Sequence, residues 1–160
     1  MLNIHGNDQC VQELNLAETE LESIPDALFE RSGRKLRFLD LHGNHLTQVP
    51  RALQNAVQLR ELNLNANDVT MLDATSLVGL SNLAKLEVSH LAGLRQIQSN
   101  SFTPLRNLKY IDCSNNYQLE TIHPNAFHNV STLEEVRTTR TFHVRDSIFS
   151  NVMVTVWVPQ

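Results

Sequence analysis

The chain has 160 residues, 41% of them hydrophobic and 19% charged, which suits a single soluble domain with a sizeable core. A net charge of −4 gives no support to a nucleic-acid or anionic-membrane partner. No apolar run reaches the ~18 residues of a transmembrane helix, and two cysteines are too few for a disulfide scaffold.

From the N-terminus, residues 2–7 read LNIHGN, a pattern that returns at residues 39–44 as LDLHGN. Leu2 and Ile4 alternate with polar residues, and Gly6-Asn7-Asp8 favours a turn. Residues 1–10 are expected to form an N-terminal edge or capping strand. They read either as a capping hairpin or as the relic of an earlier unit, in what is then a fragment of a longer protein.

From Val11 a longer unit begins and recurs. VQELNLAETEL starts at Val11, LRFLDLHGNHL at Leu36, LRELNLNANDV at Leu59, LAKLEVSHLAGL at Leu83, LKYIDCSNNYQL at Leu108 and LEEVRTTRTFHV at Leu133. The intervals are 25, 23, 24, 25 and 25 residues. Each unit opens with apolar and polar residues in alternation, the pattern of a strand with one buried face. A second apolar set follows each strand: Ile24 and Phe29, Val49 and Leu53, Leu72 and Leu77, Ile97 and Phe102, Ile122 and Phe127, Ile148 and Val152. Finally, VMVTVWV at 152–158 predicts a C-terminal edge strand within 152–160.

One such unit cannot bury its own apolar face, so it must stack on its neighbours. Stacking places the strands side by side and parallel, with the chain returning each time through a looser segment that Phe29, Phe102 and Phe127 help to fill. Asn44, Asn67 and Asn116 stand where the chain leaves the strand, and a buried amide there can satisfy turn backbone groups. Thr19 and Thr141 can serve in the same place by hydroxyl. Leu91 cannot, and an irregularity is expected in the fourth unit. Leu94 and Leu119 come one residue late, which predicts bulged turns.

The register Leu-x-x-Leu-x-Leu-x-x-Asn-x-Leu resembles the leucine-rich repeat family over nearly the whole chain. The segments QSNSFTPLRNL and HPNAFHNVSTL resemble the class found in Toll-like receptors, Slit and invertebrate adhesion proteins. The resemblance implies one domain over 1–160. Its fold class would be an α/β-type solenoid, a horseshoe with a parallel concave sheet and a mostly irregular or short-helical convex side. It also implies that Asn44, Asn67 and Asn116 form a stacked amide ladder. The implied function is protein binding by a cell-surface or secreted protein. An intracellular adaptor, for example a substrate-recognition module of a ubiquitin ligase, is the alternative.

No phosphate loop, nucleophile elbow or organised Ser/His/Asp set is present, so no enzyme activity and no cofactor are expected. Seven histidines show no ligand spacing, and no metal site is expected. Cys113 takes a core slot and is not expected to pair with Cys10, four units away. Asn129-Val130-Ser131 is a glycosylation sequon. The outward residues of the strands form a concave face suited to a protein or peptide. Aromatic, acidic and arginine residues there mark Phe38, Asp40, Glu87, Tyr110, Asp112, Tyr117 and Arg137 as contact candidates.

Overall fold

The structure, a computed structural model, describes residues 11–139 and 153–156. Ten strands follow in chain order: β1 (Glu13–Asn15), β2 (Phe38–Asp40), β3 (Glu61–Asn63), β4 (Met71–Leu72), β5 (Lys85–Glu87), β6 (Gln96–Ile97), β7 (Tyr110–Asp112), β8 (Thr121–Ile122), β9 (Glu135–Thr138) and β10 (Met153–Val156). Seven of them form one parallel sheet in the order β1-β2-β3-β5-β7-β9-β10. Its register places Leu14, Leu39, Leu62, Leu86, Ile111, Val136 and Val154 in one row. The repeat alignment thus holds to the residue. β10 pairs with β9 at the end of the sheet, as the apolar C-terminal segment predicts. The expected N-terminal edge at 1–10, Thr141, Ile148 and Val152 lie outside the described residues.

The strands are short because each ends at a fixed device. The eighth residue of the first five units has a left-handed backbone: Glu18 (φ 55°), Gly43 (65°), Ala66 (53°), His90 (56°) and Asn115 (56°). Gly43 and Asn115 suit that conformation; Glu18, Ala66 and His90 hold it at a cost in backbone strain. The repeating leucines then point into one continuous core with Phe29, Phe102 and Phe127, the last two stacked with centroids 4.6 Å apart. In the first unit Leu14, Leu16 and Leu21 pack against that core and are only half-buried.

The convex side is mostly irregular or short-helical, as expected, with one addition. In the first two units it is made of 3-10 turns, Asp26–Phe29, Ser32–Arg34 and Arg51–Asn55. Beyond them it becomes a second parallel sheet, β4-β6-β8, and no α-helix occurs among the described residues. The switch follows one backbone N–H in each unit. Gln98 donates its N–H to the Leu72 carbonyl (2.9 Å) and His123 to that of Ile97 (2.8 Å). Pro25 and Pro50 stand at the same place in their units and have no N–H to give. At the boundary the Asp73 N–H turns instead to Ser76 Oγ, 3.0 Å away. The ribbon therefore stops at β4.

Gly79 is required where the third unit packs on the second. Its φ is +90°, and a Cβ would lie 2.4 Å from the Gln54 carbonyl oxygen.

Candidate functional site

Two sets of polar side chains lie along the strand ends, and their duties differ. The first is the predicted ladder. Asn44 Nδ2 donates to the carbonyls of Leu16 (2.8 Å) and Leu41 (2.9 Å), while its Oδ1 accepts from the Leu21 N–H at 2.9 Å. Asn67 does the same one unit on, donating to Leu41 and Leu64 and accepting from Leu46. Thr19 donates its hydroxyl to the Leu16 carbonyl (2.8 Å), the weaker substitute expected of it.

At Leu91 the ladder shifts. Asn116 Oδ1 accepts from the N–H of Leu91 itself (2.7 Å), two residues earlier in the unit than the donors Leu21 and Leu46. The late leucines close their turns locally, Leu94 N–H to the Leu91 carbonyl and Leu119 N–H to that of Asn116. The irregularity and both bulged turns are where the residue pattern puts them.

The second set is the fifth residue of each unit: Asn15, Asp40, Asn63, Glu87, Asp112 and Arg137. Four of these cap their own backbone. Asn15 Oδ1 accepts from the Ala17 N–H, Asp40 Oδ1 from His42, Asn63 Oδ1 from Asn65 and Asp112 Oδ1 from Ser114, all at 2.9–3.0 Å. This is the local bond that short Asn and Asp side chains make two residues on. Glu87 is one methylene longer and leaves the job undone. In its unit the Ser89 N–H is taken by Asn65 Oδ1 of the preceding unit at 2.7 Å.

Glu87 and Arg137 are therefore free to act at the surface, and both join one cluster on β5, β7 and β9. Lys85 Nζ lies 3.2 Å from Glu87, and Arg137 Nε donates to Glu135 Oε1 at 3.0 Å. Between these pairs the Tyr110 ring is flanked by two cations, Lys85 Nζ at 5.8 Å and the Arg137 guanidinium at 5.3 Å from its centroid. The Tyr110 hydroxyl reaches Asp112 Oδ2 at 3.5 Å. Burial and then the Asp112 carboxylate push the phenol up to about 12. The bond to Glu135, then the neighbouring Tyr110, hold Arg137 more firmly protonated.

The structure thus brings together Glu87, Tyr110, Asp112 and Arg137 of the seven contact candidates. Phe38 and Asp40 share β2, three strands away or roughly 14 Å at the usual strand spacing. Tyr117 lies past the strand ends, 60% exposed. Phe38 and Tyr110 are half-buried rather than fully exposed, because neighbouring strands crowd each ring. Lys85 and Glu135 are the cluster members that sequence reading passed over, although the register alone puts them on either side of Tyr110.

Elsewhere, Asn129 is exposed, with a left-handed φ of 61°, between buried Phe127 and Val130. Cys113 is free and buried, and burial pushes its thiol up to about 12, which fits a core role. Among the described residues no group of three His, Cys, Asp or Glu is arranged to hold a metal ion, and no helix is long and apolar enough to cross a membrane.

The geometry defines a solenoid of parallel strands whose turns are sealed by stacked amides. The chain belongs to the leucine-rich repeat family: a family model described as "Leucine rich repeat" matches residues 10–69 and 81–137. It is similar to chicken Tsukushi (31% identity, 67% of this chain and 28% of that protein) and to mouse podocan-like protein 1 (36%, covering 68% and 19%). It is also similar to chaoptin of Tribolium castaneum (37%, covering 54% and 12%). Among solved structures, the Toll–Spatzle complex of Drosophila, in glycosylated form, superposes on 92% of this chain and 21% of its own with a TM-score of 0.73 and 25% identity. The TLR13–ssRNA13 complex shares the fold, with a TM-score of 0.72 and 24% identity over 86% of this chain and 20% of its own. The chain spans less than a third of each of these proteins, and its repeats are of the extracellular type they represent.

Proposed function

We propose that this chain is a protein-binding module of a cell-surface or secreted protein, without enzymatic activity, and that its concave face around Tyr110 is the contact surface. The observation that carries this reading is the Tyr110 cluster: an aromatic ring flanked by two cations on a parallel sheet, with Glu87 and Arg137 among the side chains that cap no turn. Aromatic and arginine residues in fixed conformations lose little entropy on binding, which makes them the usual anchors of protein interfaces. The similarity to Toll, solved in complex with Spatzle, supports a protein ligand. Glu87, Asp112 and Arg137 form the anchor's immediate surround; Phe38, Asp40 and Tyr117 extend the surface toward its margins. The exposed sequon at Asn129, on the return segment away from this face, supports a secretory route.

The test is site-directed photocrosslinking. A photoreactive phenylalanine in place of Tyr110, in the full-length protein on intact cells, is expected to capture a protein that the same probe at Met71 on the convex side does not. Capture from position 71 alone would overturn the reading. Enzymatic removal of N-glycans should increase the mobility of the secreted protein and leave Asn129→Gln unchanged.

A further inference from the structure

The two rims of this solenoid differ in charge over the first units. On the rim where the chain runs into the strands, the second residues of the units form a row linked through backbone bonds: Arg37 to Gln12, Arg60 to Arg37, Ala84 to Arg60, Lys109 to Ala84 and Glu134 to Lys109. Arg37 and Arg60 are neighbours in that row, and both are exposed. Arg31 and Arg34 precede Arg37 in the turn that leads into β2. That turn is pressed onto the next unit, because a Cβ on Gly33 would lie 2.8 Å from the Asn55 carbonyl oxygen. Arg37 and Arg60 thus stand side by side in this row, Arg31 and Arg34 lie in the turn just before it, and among the described residues no ion pair involves any of the four. On the opposite rim Glu18, Glu20, Glu22, Asp68 and Glu120 are exposed, with Glu18 and Asp68 facing His42 and His45 at 4.0 and 3.3 Å and Arg95 beside Glu120.

We infer that the protein partner carries a short acidic segment that docks on the rim at Arg31, Arg34, Arg37 and Arg60, beside the concave face. This rests on the protein-binding reading above and adds the partner's chemistry and its orientation. Guanidinium groups not engaged in ion pairs can pair with carboxylates, two bonds at a time. The extent of the patch sets the length of the ligand. Beyond Arg60 the row continues with Ala84 and then Lys109, already neutralised by Glu134 at 2.9 Å. A long polyanion would overrun the patch onto Glu134 on a chain whose net charge is −4, whereas a few carboxylates match it. With mostly acidic residues on the far rim of the first units, the reversed orientation is disfavoured.

Fluorescence anisotropy of the full chain tests this with three probes: a labelled Glu/Asp-rich peptide, its Gln/Asn counterpart, and heparin as a sulfated polysaccharide. The acidic peptide is expected to bind at low salt, and its Gln/Asn counterpart and heparin to bind at least about tenfold more weakly. Combined Arg37→Glu and Arg60→Glu should weaken the acidic peptide at least about tenfold, and Arg31→Gln with Arg34→Gln several-fold, while Met71→Ala on the convex side leaves it unchanged. The Gln pair preserves the test should charge reversal disturb folding, as circular dichroism would show. Equal binding of the neutral peptide, preference for heparin, or indifference to both variant pairs would overturn the inference. Capture from position 110 persisting alongside such a result would leave the protein-binding reading standing, whereas loss of capture with intact peptide binding would strike that reading instead.

Discussion

The first three units and the next three share one sheet, yet they close their strand ends differently. In the first three, every fifth residue is an Asn or Asp that caps its own backbone, and the amide ladder at Asn44 and Asn67 is regular. In the next three, Leu91 interrupts the ladder, Glu87 and Arg137 replace the short caps, and the Tyr110 cluster sits at the same strands. A polar residue on the concave face is therefore not evidence of binding by itself. Where the side chain serves the turn it is structural. Where another group serves the turn, the side chain is released to the surface.

This contrast can be broken most sharply at the ladder. Asn67→Ala should cost roughly 3 kcal/mol by urea unfolding, since it removes hydrogen bonds to buried carbonyls and orphans the Leu46 N–H. Leu91→Asn should destabilise as well, by about 2 kcal/mol, because the shifted turn already gives the Leu91 N–H to Asn116 and leaves a new amide buried without partners. Recovery of stability at Leu91→Asn would mean that the ladder is merely vacant there.

Smaller effects sharpen the same comparison. Asp40→Ala should lose about 1 kcal/mol and Glu87→Ala less than about 0.5 kcal/mol, because only the former caps a turn. Ala66→Gly should gain up to about 1 kcal/mol by relieving the left-handed alanine, and Gly43→Ala should lose a similar amount. At alkaline pH the Tyr110 phenol, raised in the fold from its ordinary value of 10.0 to about 12, favours the folded state while protonated. That contribution is complete below pH 10 and fades as pH rises toward 12, over a range where buried Cys113, also raised to about 12, acts in the same direction. Tyrosinate absorbance should show a component near pH 12 that Tyr110→Phe removes.

Much of this was legible in the residues. The intervals between Leu36, Leu59, Leu83 and Leu108 dictate the strand register, and the position of Asn44, Asn67 and Asn116 at the strand ends identifies the ladder. The gap at Leu91 was readable too. The capping role of Asp40 and Asp112 was not, because an acidic residue on an outward strand position looks the same whether its oxygen turns to solvent or to the N–H two residues on. Phe38 and Tyr110 occupy equivalent positions and look alike in the sequence. Only the neighbours at their level, Glu13 and Glu61 for one, Lys85 and Glu135 for the other, separate them. The convex ribbon ends where Pro50 lacks an N–H and the Asp73 N–H turns to Ser76, features present in the chain but meaningful only once the neighbouring carbonyls are in place.

Amide hydrogen exchange at two residues tests the division of labour most directly. Asp40→Ala should speed exchange of the His42 amide, whereas Glu87→Ala should leave the Ser89 amide protected and Asn65→Ala should expose it. Faster exchange at Ser89 in Glu87→Ala, or an unmoved His42 in Asp40→Ala, would contradict the account.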